Sequence, residues 1–115
     1  MNPDALENLR LELRRGSVVL AVLGALRAEQ YGYTLRKALT DKGFAVDEGT
    51  LYPLLRRLES QGLLVSVWRE QDKRNKRFYR LSPDGEQLLS QLSAEWRAID
   101  TSITEILKEH TNGTH

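Results

Sequence analysis

The run Asp47-Glu48-Gly49-Thr50-Leu51-Tyr52-Pro53-Leu54-Leu55-Arg56-Arg57-Leu58-Glu59-Ser60-Gln61-Gly62 decides the fold. Leu51, Leu54, Leu55 and Leu58 recur at helical spacing and share one face, which belongs to a core. At about 100° per residue, Gly49, Pro53, Arg56, Arg57 and Ser60 fall on the opposite face, with Thr50 and Tyr52 at its flanks. Gly62 stops the helix. Two short apolar-rich runs follow, Leu63 to Arg69 and Arg77 to Leu81, joined by Glu70-Gln71-Asp72-Lys73-Arg74-Asn75-Lys76. A helix packed on one side and arginine-bearing on the other, next to a cationic hairpin, is how a small protein reads duplex DNA. The run predicts a winged helix-turn-helix.

Charge along the chain agrees. The formal net charge is only +1, but it is unevenly divided. Between Arg56 and Arg80 stand Arg56, Arg57, Arg69, Lys73, Arg74, Lys76, Arg77 and Arg80, opposed by Glu59, Glu70 and Asp72. Beyond Leu81 the sign reverses: Asp84, Glu86, Glu95, Asp100, Glu105 and Glu109 face Arg97 and Lys108. One basic surface and one acidic helix result.

Working outward toward the N-terminus, Phe44-Ala45-Val46 is a short extended link, and Tyr33 to Lys42 is a helix ending at Gly43. Glu29-Gln30-Tyr31-Gly32 reads as a turn. Val18 to about Ala28 is apolar nearly all round, as expected of a helix packed on several sides. Asn2 and Pro3 make a sound helix start, followed by Leu6, Leu9 and Leu13 at helical spacing. Gly16-Ser17 is expected to interrupt, with Ser17 capping the second helix.

Toward the C-terminus, Ser82 is a good N-cap, Pro83 takes the first helical position, and Asp84 and Glu86 favour the positive end of the dipole. Leu89, Leu92, Trp96, Ile99, Ile103 and Ile106 then follow spacings of 3, 4, 3, 4 and 3, and His110 continues the series. This is a heptad seam. At ~1.5 Å per residue the helix spans about 40 Å, more than so small a domain covers by itself. Two-fold pairing is expected, with Leu6, Leu9, Leu13 and the seam as its interface; the plainer alternative packs the seam on the first helix of its own chain.

The expected fold class is therefore mainly α with a small β-hairpin: a winged helix-turn-helix plus a long C-terminal dimerisation helix. Residues 1–81 form the DNA-binding domain with its N-terminal helix, 82–110 the dimerisation helix, and 111–115 a disordered tail. At 115 residues, with 29% charged and 40% hydrophobic, the chain is one globular domain. It has no cysteine, which excludes disulfides and thiolate metal sites. Its N-terminus lacks a signal sequence, and its longest apolar run, Val18 to Leu23, is far short of the ~20 residues of a membrane helix. The expected location is the cytoplasm, with no membrane partner.

On this reading Thr50, Tyr52 and Pro53 approach bases or sugar-phosphate, because recognition helices meet the major groove with their N-terminal half. Arg56 and the neighbouring Arg57 supply cations there, Arg56 to phosphate or a guanine edge. Tyr52 has an alternative reading as a core-edge aromatic with its hydroxyl in water. Lys73, Arg74, Lys76 and Arg77 at the hairpin tip supply affinity with little sequence information, although cationic tips also protect exposed strand edges.

The chain resembles a short member of the PadR family of bacterial transcriptional regulators. The resemblance runs from Gly16 to about Leu89. It rests on Gly16-Ser17, Tyr31-Gly32-Tyr33-Thr34-Leu35, Gly49 to Glu59, Gln61-Gly62-Leu63-Leu64, and Phe78-Tyr79-Arg80-Leu81-Ser82-Pro83-Asp84-Gly85. It implies a homodimeric winged-helix repressor on a double-stranded, pseudo-palindromic operator, with Tyr33 and Thr50 to Pro53 near DNA. The usual threonine at the start of the last helix is Ser82 here, which keeps the hydroxyl. The chain is similar to multidrug-sensing members, which hold flat aromatic compounds between paired tryptophans. Trp96 is accordingly the candidate contact for a small aromatic effector; its plainer reading is a large core residue in the seam. The sequence leaves the direction of Trp68 open.

Two other classes compete with this reading. A winged helix serving a protein partner has no need of the segregated basic surface. An enzyme is disfavoured: there is no Gly-rich phosphate loop, and Asp47-Glu48 is explained by helix capping. No cofactor is expected. No metal site is expected either, since His110 and His115 near the end do not make one.

Overall fold

The computed structural model describes residues 2–112, with side chains as far as residue 109. The order is α1 (Pro3–Ala25), β1 (Gln30–Tyr31), α2 (Gly32–Asp41), α3 (Glu48–Ser60), β2 (Leu64–Gln71), β3 (Arg74–Leu81) and α4 (Pro83–Asn112). The strands form one antiparallel sheet in the order β1-β3-β2. This is a winged helix-turn-helix: α2 and α3 make the helix pair, and β2 and β3 make the wing.

The core is a leucine cluster drawn from every layer. Val22, Leu23 and Leu26 meet Leu35 and Leu39 of α2, Leu51, Leu54, Leu55 and Leu58 of α3, and Leu64, Tyr79 and Leu81 of the sheet. The four leucines expected on the inner face of α3 are all buried, and Gly49, Thr50, Pro53, Arg56, Arg57 and Ser60 are exposed.

Five expectations need correction. Gly16-Ser17 does not interrupt α1, which runs unbroken from Pro3 to Ala25. A mid-helix glycine costs only ~1 kcal/mol, and burial of Val22 and Leu23 farther along the same helix offsets it. The Ser17 hydroxyl bonds back to the Leu13 carbonyl instead of capping a new helix. The helix also ends at Ala25 rather than near Ala28.

The expected turn at Glu29 to Gly32 contains a strand. Gln30 pairs with Tyr79, and Tyr31 with Phe78. The expected seven-residue hairpin link shrinks to Asp72 and Lys73, both at positive φ (54° and 65°), and the strands pair out to Gln71 and Arg74. Two successive left-handed residues give the turn that matches strand twist. Finally, α4 continues past the expected end at 110, through Asn112. The rest of the expected tail, the His110 side chain and His115 lie outside the described residues.

Both long helices begin as expected. The Asn2 side chain accepts from the Asp4 amide at 2.9 Å. Ser82 is more than a cap: its hydroxyl accepts from the Gly85 amide at 3.0 Å and donates to the Gly62 carbonyl at 2.6 Å. The Ser82 amide also donates to the Leu63 carbonyl. Gly85 lies so close to that carbonyl that any side chain would collide with it. The start of α4 is thereby locked to the turn that ends α3. No helix among the described residues is long and apolar enough to cross a membrane.

Candidate nucleic-acid interface

The recognition helix α3 is fixed at both ends. At its start the Thr50 hydroxyl donates to Asp47 Oδ1 at 2.7 Å, which is the main cause holding the Asp47 carboxyl below its usual range. Arg36 of α2 donates to Glu48 at 2.7 Å, tying the two helices of the pair. At its end, Glu59 accepts from Ser66 Oγ and from Arg77 Nη2, both at 2.6 Å, while Arg77 Nε donates to Ser66 Oγ at 3.0 Å. These three half-buried groups close a ring between the last turn of α3 and the middle of the wing.

The outward residues of α3 divide between two hollows. Thr50, Pro53 and Arg57 line one of about 430 Å³ with Arg15, Val18 and Val19 of α1. Tyr52 and Arg56 line another of about 380 Å³, shared with Tyr33, Trp68 and Arg77. Thr50, Pro53, Arg56 and Arg57 are exposed, and Tyr33, in the first turn of α2, is 62% exposed. Tyr52 is half-buried and packs against the core and Gly32, so its ring has the core-edge position that was the alternative reading. Pro53 removes the donor that the Gly49 carbonyl would otherwise receive; both residues are exposed, so water can meet that oxygen.

The four wing cations are not equivalent. Lys73 and Arg74 lie at the tip and are exposed, without an ion pair among the described residues. Lys76 folds back: its side chain is only 19% exposed and its ammonium lies 4.3 Å from the Tyr31 ring centroid and 3.3 Å from the Tyr31 hydroxyl. Arg77 is engaged by Glu59 and Ser66. The tip therefore presents two free cations, and the other two hold the wing in place.

The outer face of the wing is anchored separately. Arg69 pairs with Glu29 at 2.6 Å and covers the Phe78 ring, which Tyr31 meets edge-on. The hydrogen bond from Arg69, helped by its charge, holds the Glu29 carboxyl below its usual range. A lowered carboxyl pKa stabilises the fold above the ordinary carboxylate range and is lost only as pH falls through the lowered value. The anchor is thus intact at neutral pH.

Sequence reasoning missed the Glu59–Ser66–Arg77 ring, because the three residues come from different elements and only the register joins them. It also left Trp68 unplaced. Trp68 pairs with Arg77 and Ser66 with Tyr79, which puts Trp68 on the wing face turned toward α3. Alternation alone groups Trp68 with Ser66, opposite Val65 and Val67, and only the pairing with β3 shows that this face is the one toward α3.

The expected pairing surface splits in two. Leu89 and Leu92 pack partly on the core of their own chain. Trp96, Ile99, Ile103 and Ile106 are exposed, as are Leu6, Leu9 and Leu13, the last by 77%. Between α1 and α4 runs an apolar groove of about 440 Å³ containing Leu13, Leu20, Trp96, Ile99 and Ile103.

The Transcriptional regulator PadR-like family matches residues 19–91. The transcriptional regulator Rv3488 of Mycobacterium tuberculosis is 40% identical over 105 residues, covering 89% of this chain and 95% of its own. Among solved structures, a PadR family transcriptional regulator from Eggerthella lenta has a TM-score of 0.83 at 41% identity, covering 90% of this chain and 93% of its own. A PadR-like transcription factor from Bacteroides fragilis has a TM-score of 0.73 at 30% identity, covering 86% and 98%. The chain belongs to the PadR-like family of transcriptional regulators, DNA-binding proteins and not enzymes.

Proposed function

We propose that this regulator is a homodimeric repressor that binds a pseudo-palindromic operator and is released by a small, flat aromatic effector. In this reading residues 1–81 carry the DNA-reading surface and 82–110 the pairing helix. The observation that carries it is the coexistence of two unpartnered surfaces. One is cationic, with Arg56, Arg57, Lys73 and Arg74 exposed around the recognition helix and wing tip. The other is apolar, running over Leu6, Leu9 and Leu13 of α1 and Trp96, Ile99, Ile103 and Ile106 of α4. The first suits phosphate and the second suits another copy of itself.

Tyr33, Thr50, Pro53, Arg56 and Arg57 meet the operator directly, with Tyr52 at the edge of that contact. Lys73 and Arg74 reach phosphates, whereas Lys76 and Arg77 act by holding the wing. Two copies place their recognition helices about one helical turn, ~10 base pairs, apart. The groove beside Trp96 supports the effector reading because its lining is mostly apolar, with Glu95 and Asp100 at the same groove. Those two carboxylates favour a cationic aromatic compound.

The test is a gel shift with the chain's own promoter region and a scrambled duplex, at two salt concentrations, with and without a planar aromatic cation. Selective, salt-sensitive binding that the cation reverses is the expected result. Equal weak binding to both duplexes would instead favour a winged helix serving a protein partner.

A further inference from the structure

Trp68 is a large apolar side chain left 66% exposed in the middle of a paired strand. A single exposed tryptophan is unremarkable. Its surroundings are what matter. On the inner wing face Ser66 is bonded to Glu59, and Tyr79, opposite it, is buried. Trp68 is the next residue outward on that face, and it forms the wing-side wall of the 380 Å³ cleft whose other wall is Tyr52 and Arg56 of α3. Tyr33 stands at the same cleft, and no carboxylate lines it.

Arg56 makes no ion pair among the described residues, so the cleft holds an uncompensated cation. Arg77, the other guanidinium there, is already bonded to Glu59 and Ser66 and sits 5.8 Å from the Trp68 ring centroid. It backs the indole instead of offering a free charge. The cleft is thus an anion-favouring slot with one free guanidinium, two exposed aromatic surfaces and an indole N–H. A deoxyribose-phosphate unit matches each part: apolar sugar against ring, phosphate oxygen to guanidinium and indole N–H.

We propose that Trp68 is a DNA-backbone contact, its indole seating one sugar-phosphate unit of the operator in the cleft between recognition helix and wing. The proposal rests on the operator-binding reading above. When α3 enters the major groove and the wing flanks it, the strand between them passes through this cleft. The contact is uncharged, so it adds affinity and fixes register without displacing a counterion.

The experiment is an anisotropy titration of a fluorescein-labelled duplex from the chain's own promoter region, at several salt concentrations. The proteins are the parent, Trp68→Ala, Trp68→Phe and Lys73→Ala. Trp68→Ala should weaken binding about tenfold with the salt slope unchanged, and Trp68→Phe should recover part of the loss. Lys73→Ala, which removes one phosphate contact from each of the two half-sites, should instead reduce the slope by about 1.8. The duplex should also quench parent tryptophan emission, and most of that quenching should vanish in Trp68→Phe, a readout that stands even if the alanine variant folds poorly.

If Trp68→Ala binds within twofold of the parent and Trp68→Phe keeps the full quenching, while Lys73→Ala is weakened, the proposal is overturned and the operator reading stands. If the parent binds neither this duplex nor a scrambled one, the operator reading fails and takes the proposal with it.

Discussion

A Cβ built on Gly32 would stand 2.8 Å from Cε1 of Tyr52 and nearer still to its hydroxyl. Tyr52 can lie across the first turn of α2 only because position 32 has no side chain. That contact sets the distance between the two helices at the N-terminal end of α2. Gly32→Ala should destabilise the protein by ~1–3 kcal/mol in chemical denaturation, the usual cost of overpacking. Adding Tyr52→Leu, which removes the colliding ring, should restore much of the loss. Equal destabilisation with and without the second substitution would show that the Tyr52 ring is not what position 32 must accommodate.

At the scale of elements, the wing is held by charge on both faces: Glu59 and Ser66 with Arg77 within, Glu29 with Arg69 outside. Glu59→Gln exposes two effects of opposite sign. Removing a carboxylate near the duplex strengthens attraction to any phosphate, while loosening the wing weakens the contacts that depend on its pose. Because half-exposed ion pairs contribute only ~0–1 kcal/mol to stability, the fold should survive. Binding to a scrambled duplex should rise and the ratio of operator to scrambled affinity should fall, both by roughly threefold. An unchanged ratio in parallel titrations would mean that wing pose does not depend on this ion pair.

The same elements show what a sequence reveals. The inner face of α3 and the Ser82-Pro83 start of α4 were legible because periodicity and capping are local. The strands from Gln71 and Arg74 to Lys76 were not legible. Those residues are polar on both faces, so no alternation marks them, and Asp72-Lys73 contains no glycine to announce a left-handed turn. Only pairing with the opposite strand makes them a ladder. The two-residue β1 is similar, since its partners lie more than forty residues away at Phe78 and Tyr79. In the site, Arg56, Lys73 and Arg74 are exposed as their positions suggested, while the holding roles of Lys76 and Arg77 depend on partners distant in the chain.

For the whole molecule, a compact chain of this length has a radius of gyration of about 13 Å. The observed value is 17.5 Å, with a long axis of 64 Å. The excess comes from two helices, α1 before Gly16 and α4 beyond Leu92, that leave the domain carrying exposed leucines and isoleucines. Both are coupled to the DNA-reading half. Arg14 donates to the Ala45 carbonyl at 2.7 Å and covers Phe44 in the link before α3, and Ser82 locks α4 to the turn after it. A second copy bridging the two projections would fix the spacing of two recognition helices through those joints. Ile103, 49% exposed within the groove beside Trp96, lies on this path. Ile103→Glu should leave helix content intact, yet sediment at half the mass of the parent, because a desolvated lone carboxylate is not tolerated in an apolar seam. Losing the linked second half-site should lower operator affinity by ~100-fold or more. Gln91→Glu, off the seam on the same helix, should do neither. If Ile103→Glu sediments like the parent, the apolar stripe is not where two copies meet, and the spacing of the recognition helices must be set elsewhere.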